Sequence, residues 1–198
     1  AEQKETAIER GMNRFQWNLR YPDATEVTGF WVPIAAGGLP DEVSGPAVVP
    51  GTYDVVLDYG GQRSQQSFKV ALDPSIPTSQ SDLEARFALQ MQIHQALDEL
   101  DRAINEAIAA RDRLRGAGNT AAAAALDKTI NSLVQLDVHS SEGTLLYETK
   151  LRSHLAYLQA ESDLAYAKPT PAEYQVFEQL DRQAKAGEQA LRAAGGVR

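Results

Sequence analysis

The sequence predicts an α+β fold, with a partial immunoglobulin-like antiparallel β-sandwich over residues 1–78 and an antiparallel bundle or hairpin of about four helices over residues 79–198. Two observations carry this reading. Apolar residues recur at every second position before Ser81, and at every third or fourth position from there to Gly195, which are the periods of a strand and of a helix. The alternating segments are bounded by Pro and Gly, whereas the helical patterns run on without interruption.

Residues 13–21 read as the first strand, with Phe15, Trp17, Leu19 and Tyr21 on one face and Arg14, Gln16, Asn18 and Arg20 on the other. Pro22 ends it. Pro50-Gly51 opens a second strand, with Tyr53, Val55, Leu57 and Tyr59 expected inward and Thr52, Asp54, Val56 and Asp58 outward. Gly60-Gly61 turns the chain into a return strand carrying Phe68, Val70 and Leu72, so these two strands form a hairpin. Between them and the first strand, residues 27–50 form a Gly- and Pro-rich loop that contains Phe30, Trp31 and Ile34 and holds one more short strand. Such a count falls short of the roughly seven strands that close a sandwich. The aromatic faces therefore need a cover, expected from the helical half and from strands that precede Ala1.

In the helical half, Ser81 with Glu84 forms a capping box that starts the first helix. Leu89, Ile93, Leu97, Leu100, Ile104 and Ile108 make its apolar stripe, and Gly116 and Gly118 stop it. A helix of that span is roughly 50 Å long and needs partners along its length. Asn119 or Thr120 caps a second helix with Leu126, Ile130, Leu133 and Leu136 on one face, and the short connection makes the two antiparallel neighbours. Residues 137–144 read as a loop. The third helix carries Tyr147, Leu151, Leu155 and Leu158 and ends near Lys168, ahead of Pro169. Thr170, Pro171 and Glu173 start a fourth, with Phe177, Leu180, Ala184 and Leu191 inward.

Charge and composition exclude several classes of function. A net charge of −8, with 19 basic residues scattered among 27 acidic ones, disfavours nucleic acid as a partner. No apolar run approaches the ~20 residues of a membrane span. Cysteine is absent, which removes disulfides, thiolate nucleophiles and cysteine metal sites.

No constellation of catalytic, cofactor-binding or metal-ligating residues emerges. His94, His139 and His154 lack the spacing of a helical zinc site, and His94 and His154 read as packed or rim histidines. Asp98, Glu99, Asp101, Glu161 and Asp163 read as solvated helix faces. Ser140 and Ser141 follow His139 without a third group to complete a triad. Gly37, Gly38, Gly60 and Gly61 match no phosphate-binding pattern and read as turn glycines. Alternation assigns Trp17 to the core. Trp31, Phe30 and Ile34, in the irregular segment, with Arg14 and Arg20 are the candidates for an interaction surface.

The stretch Gly11-Met12-Asn13-Arg14-Phe15-Gln16-Trp17-Asn18-Leu19-Arg20-Tyr21-Pro22, then Val49-Pro50-Gly51-Thr52-Tyr53, Leu72-Asp73-Pro74 and Ser81-Asp82-Leu83, resembles the C-terminal region of large bacterial sortilin-like proteins. Those proteins are built mainly from BNR-repeat β-propellers and are often labelled glycosyl hydrolases. The resemblance extends to the Pro169-Thr170-Pro171 junction and implies an exported, periplasmic or extracellular protein. It also implies an immunoglobulin-like sandwich finished by helices that follows the propellers, which explains the shortage of strands. Family members commonly carry an acidic residue where Asn18 stands here. The Asp-box motif of the propeller blades is absent from these residues, so the resemblance implies no sialidase-type site. What it implies is a non-catalytic structural and interaction module, without cofactor or metal, whose partner is a β-propeller domain of the same protein or a partner subunit. The alternatives are an accessory subunit of a membrane-associated assembly and, from another class, a carbohydrate-binding or glycosidase-associated domain that uses Trp31, Arg14 and Arg20.

Overall fold

Residues 10–31, 44–138 and 146–195 are described by a computed structural model. Their elements are two strands, β1 (Gly51–Tyr59) and β2 (Gln62–Val70), and four helices, α1 (Gln80–Gly116), α2 (Thr120–Leu133), α3 (Leu151–Asp163) and α4 (Pro171–Gly195). The class is α+β, as the periodicities imply. No sandwich is present among the described residues, because the sheet has only the two antiparallel strands β1 and β2.

Residues 13–21 are not a strand, and the cause is local. Leu19 takes φ 60°, in the left-handed region that interrupts an extended run. On either side of it, Asn18 Oδ1 accepts the Arg20 N–H at 3.0 Å and the Trp17 indole donates to the Arg20 carbonyl at 2.9 Å, so side chains take backbone groups that a ladder would use. What remains is one isolated bridge, Arg20 to Ala47. Trp17 is half-buried rather than a core residue, its ring 5.7 Å from Tyr53 and 6.1 Å from Phe68.

The helix boundaries follow hydrogen-bond accounting. α1 begins two residues before the expected Ser81 box. Ser79 is the N-cap; its hydroxyl accepts the Asp82 N–H at 3.1 Å and donates to the Asp82 carboxylate at 2.6 Å. Gly118, at φ 75°, turns the chain out of α1, and Asn119 then caps α2 by accepting the Ala122 N–H at 3.3 Å. α3 ends at Asp163 rather than near Lys168, because Arg86 and Gln90 of α1 take the Ser162 carbonyl and Arg86 takes that of Asp163, acceptors that a further turn would otherwise have used. Thr170 and Glu173 make the reciprocal capping box of α4 as expected.

The core runs along α1. Leu89, Ile93, Leu97, Leu100 and Ile104 are buried, and Leu126, Ile130, Leu155, Leu180 and Leu191 of the other helices share their cluster. Gly187 permits close approach of α4 to α2, since a Cβ there would stand 2.6 Å from Leu133 Cδ2.

Residues 20–30 lie as a strap along the same helix. Ala24 and Val27 enter the helical core. Asp98 Oδ1 accepts the Thr25 N–H at 2.9 Å and its hydroxyl at 2.7 Å. Asn105 clamps the next turn, donating to the Glu26 carbonyl and accepting the Thr28 N–H, both at 2.8 Å. The expected boundary at 78/79 falls in the connection from β2 to α1, whereas the strap joins the β half to the bundle well upstream of it.

Gly45 seats the returning chain against the strap: its N–H donates to Asp23 Oδ1 at 2.9 Å, and an added Cβ would lie 2.0 Å from the Tyr21 carbonyl oxygen and 2.4 Å from that of Pro22. Backbone cannot yield as a side-chain tip can. Gly45→Ala is therefore expected to lower stability by about 1–3 kcal/mol, read as a lower urea midpoint.

Candidate functional site

The β half presents a row of exposed apolar side chains on regular strands. Gly60 and Gly61, at φ 56° and 79°, make the two-residue turn that matches the twist of a hairpin. Register then pairs Tyr53 with Phe68, Val55 with Gln66, Leu57 with Ser64 and Tyr59 with Gln62, so these side chains share one face. Trp17 covers its base, and the Tyr53 hydroxyl donates to the Val49 carbonyl at 2.6 Å. Farther out the face is open: Val55, Leu57 and Tyr59, expected inward, are 53%, 60% and 63% exposed. The physical reason is that neither helix nor third strand among the described residues reaches beyond the Trp17 end. On the opposite face Val56 stands among Asp54, Asp58, Arg63 and Lys69.

The candidate surface residues have separate placements. Trp31 is 55% exposed and Arg14 is exposed. Ile34 lies outside the described residues. Phe30 packs against the helical core, its ring centroid 4.4 Å from the guanidinium carbon of Arg152. Arg20 is drawn into the junction between halves, donating to the Gly45 carbonyl at 3.0 Å and pairing with Asp163 Oδ2 at 2.5 Å. Asp163 is also paired with Arg86, through Oδ1 at 2.6 Å. Far from being one solvated face, Asp163 is the point where strap, α1 and α3 meet.

Asp101 also departs from the solvated-face reading. It is fully buried, its Oδ2 3.1 Å from Nε of buried Arg152, and no protein donor reaches its Oδ1. Its burial was legible in retrospect, because Asp101 stands four residues after Leu97 and three before Ile104, on the apolar stripe itself. Desolvation raises its pKa to about 7, against the opposing pull of Arg152. Asp98 lies below the ordinary carboxylate range despite partial burial, held there by its bonds to Thr25 and by the charges of Arg102 and His94.

Among the histidines, His94 is half-buried, its pKa lowered by desolvation and its Nδ1 without a protein partner. His154 is exposed, and His139, Ser140, Ser141, Gly37 and Gly38 lie outside the described residues. Among the described residues no group of three or more His, Asp or Glu side chains could hold a metal ion, and no helix is long and apolar enough to cross a membrane.

No family model, curated protein or solved structure matches this chain.

The Asp101 environment has a pH consequence. In the unfolded chain its carboxyl ionises near the ordinary value of about 4, whereas in the fold it holds its proton up to about 7. Across that window the folded state binds the extra proton, so this group's contribution to stability is full below the lower value and is lost as pH rises through the upper one. Asp101→Asn, which replaces the protonated carboxyl by a neutral amide that does not titrate, is expected to flatten the decline between about pH 4 and 7. Urea midpoints measured across pH for both proteins check this; parallel curves would place the Asp101 titration outside the window.

Proposed function

We propose that the chain is a non-catalytic structural and interaction module of an exported protein, whose hairpin docks against a β domain. That domain is a β-propeller of the same protein or a partner subunit. One observation carries the reading: the row Val55, Leu57 and Tyr59, more than half exposed on a nine-residue strand. An isolated two-stranded hairpin is marginal in water, and three or more strands or a packed face are needed to hold it. Among the described residues neither long edge pairs with a further strand, and an open edge invites addition of one.

The bundle supports the reading from the other side. It buries its own apolar residues against one another, so it serves as a rigid mount for the hairpin through the strap. Several carboxylates that an acid–base mechanism would need are engaged structurally: Asp98 with Thr25 and Arg102, Asp127 with Arg111 and Arg115, and Asp163 with Arg20 and Arg86. The resemblance to the C-terminal region of sortilin-like propeller proteins favours the same role and an exported location.

A photo-reactive benzoylphenylalanine in place of Leu57, in protein made in its natural host, tests the reading. The expected adduct joins Leu57 to a β-rich segment, and its intact mass tells a domain of the same polypeptide from a separate subunit. Absence of any adduct at Leu57 would overturn the proposal. The paired substitution Leu57→Asp and Tyr59→Ser should abolish the adduct made from a neighbouring exposed site, Val55, while changing the stability of the isolated chain by no more than about 0.5 kcal/mol.

A further inference from the structure

The Gly60-Gly61 turn fixes which backbone groups of the hairpin point outward. With a two-residue loop, Tyr59 and Gln62 form a hydrogen-bonded pair, and so does every second pair back from the turn. Leu57, Val55 and Tyr53 thus aim their N–H and carbonyl at β2. Thr52, Asp54, Val56 and Asp58 aim theirs out along the β1 edge, and Arg63, Gln65, Ser67 and Lys69 aim theirs out along the β2 edge. Neither edge pairs with a further strand among the described residues.

The two edges differ in what lies beside them. A strand added to β1 sets its side chains directly against Val55, Leu57 and Tyr59 on the open face, whereas one added to β2 meets Gln62, Ser64 and Gln66. Because 55, 57 and 59 spend their backbone groups inside the hairpin, an antiparallel strand on β1 meets them as non-hydrogen-bonded pairs, the pairs with the closest side chains. Burial of apolar surface therefore favours the β1 edge.

Charge sets what the other face of such a strand must carry. Asp54 and Asp58 stand four residues apart, exposed, on the face opposite the apolar row. Asp54 accepts from the Ser67 hydroxyl rather than from a cation, and Arg63 is the register partner of Asp58. On the free side of β1, cations placed opposite both aspartates stabilise the pairing and acids there oppose it. A second copy of this chain does not fit. Its β1 brings the same two aspartates to that face, and its β2 carries Arg63 and Lys69 six residues apart, with Gln62, Ser64 and Gln66 where apolar residues are needed. Residues 1–9, 32–43, 139–145 and 196–198 contain no two Lys or Arg at the required spacing either.

We propose that the β1 edge, and not the β2 edge, takes a strand of the docked domain in which apolar and polar residues alternate and Lys or Arg occupies two polar positions four residues apart, opposite Asp54 and Asp58. This assignment rests on the docking role proposed for the hairpin and adds to it the edge used and the chemistry of the partner strand.

The edge is tested by titrating the full chain with an acetylated and amidated peptide, Thr-Val-Lys-Val-Thr-Val-Lys-Val-Thr, while backbone amide exchange is followed by NMR. Saturable slowing is expected at Asp54, Val56 and Asp58 and not at Gln65 or Ser67, and the same peptide with Glu for both Lys should bind at least about tenfold more weakly. Val56→Pro removes an outward N–H without removing a hairpin bond and should abolish the slowing, whereas Gln65→Pro on the other edge should leave it. Asp54→Lys combined with Asp58→Lys, both at exposed positions, should reverse the preference between the two peptides. Slowing along the β2 edge, equal binding of the two peptides, or no saturation below about 1 mM would each overturn the proposal. The Leu57 photo-adduct in the natural host separates this assignment from the docking role: an adduct that persists in Val56→Pro, or one that joins two copies of this chain, removes the assignment while the hairpin remains a docking surface, whereas absence of any adduct removes the docking role itself.

Discussion

The length of α1 is the constraint on which the rest of the molecule depends. At 37 residues it spans roughly 55 Å, and a helix of that length with an apolar stripe from end to end is stable only where other elements cover the stripe. α2, α3 and α4 cover most of it, and Ala24 and Val27 of the strap cover more. The strap has no regular secondary structure of its own. Asp98 and Asn105, polar residues on the flank of the stripe, satisfy its backbone groups instead, which allows an irregular segment to lie against a helix without orphaned donors.

Around that axis, buried charge marks the joints. Asp163 binds arginines from the strap and from α1, and the carbonyls at the end of α3 bind Arg86 and Gln90, so three elements converge on one helix terminus. Asp101 and Arg152 pair α1 with α3 deeper in, beside Phe30. Ion pairs this well buried add little net stability against hydrophobic replacements, but breaking one side leaves a charge without its partner. Their value is in specifying which arrangement of helices and strap is allowed.

The hairpin stands apart from this economy. Its base is held by Trp17 and by Gln80, which donates to the Pro50 carbonyl at 3.0 Å, while no element among the described residues covers the Val55, Leu57 and Tyr59 row. Core and surface are thus distributed unequally: the helical half covers its own apolar residues, and among the described residues the β half does not. A module with this division has one mount and one sticky face.

Much of the fold was legible in the residues alone. The change of period near Ser81, the stop at Gly118, the Asn119 cap, the Thr170–Glu173 box and the Gly60-Gly61 turn are local signals, and each is decided by hydrogen bonds within a few residues. The apolar stripe of α1 was equally plain. Other features depended on distant partners. Residues 13–21 alternate like a strand, yet the chain closes around Trp17, Asn18 and Leu19 because side chains three residues or fewer away compete for its backbone. Asp101 and Asp163 look like solvated carboxylates until Arg152, Arg20 and Arg86 arrive from other elements, and the Val55 row looks like core although no third strand lies over it among the described residues. Periodicity says which residues can share a face; only the tertiary structure says whether anything covers that face, because coverage depends on what is packed there and not on the strand itself.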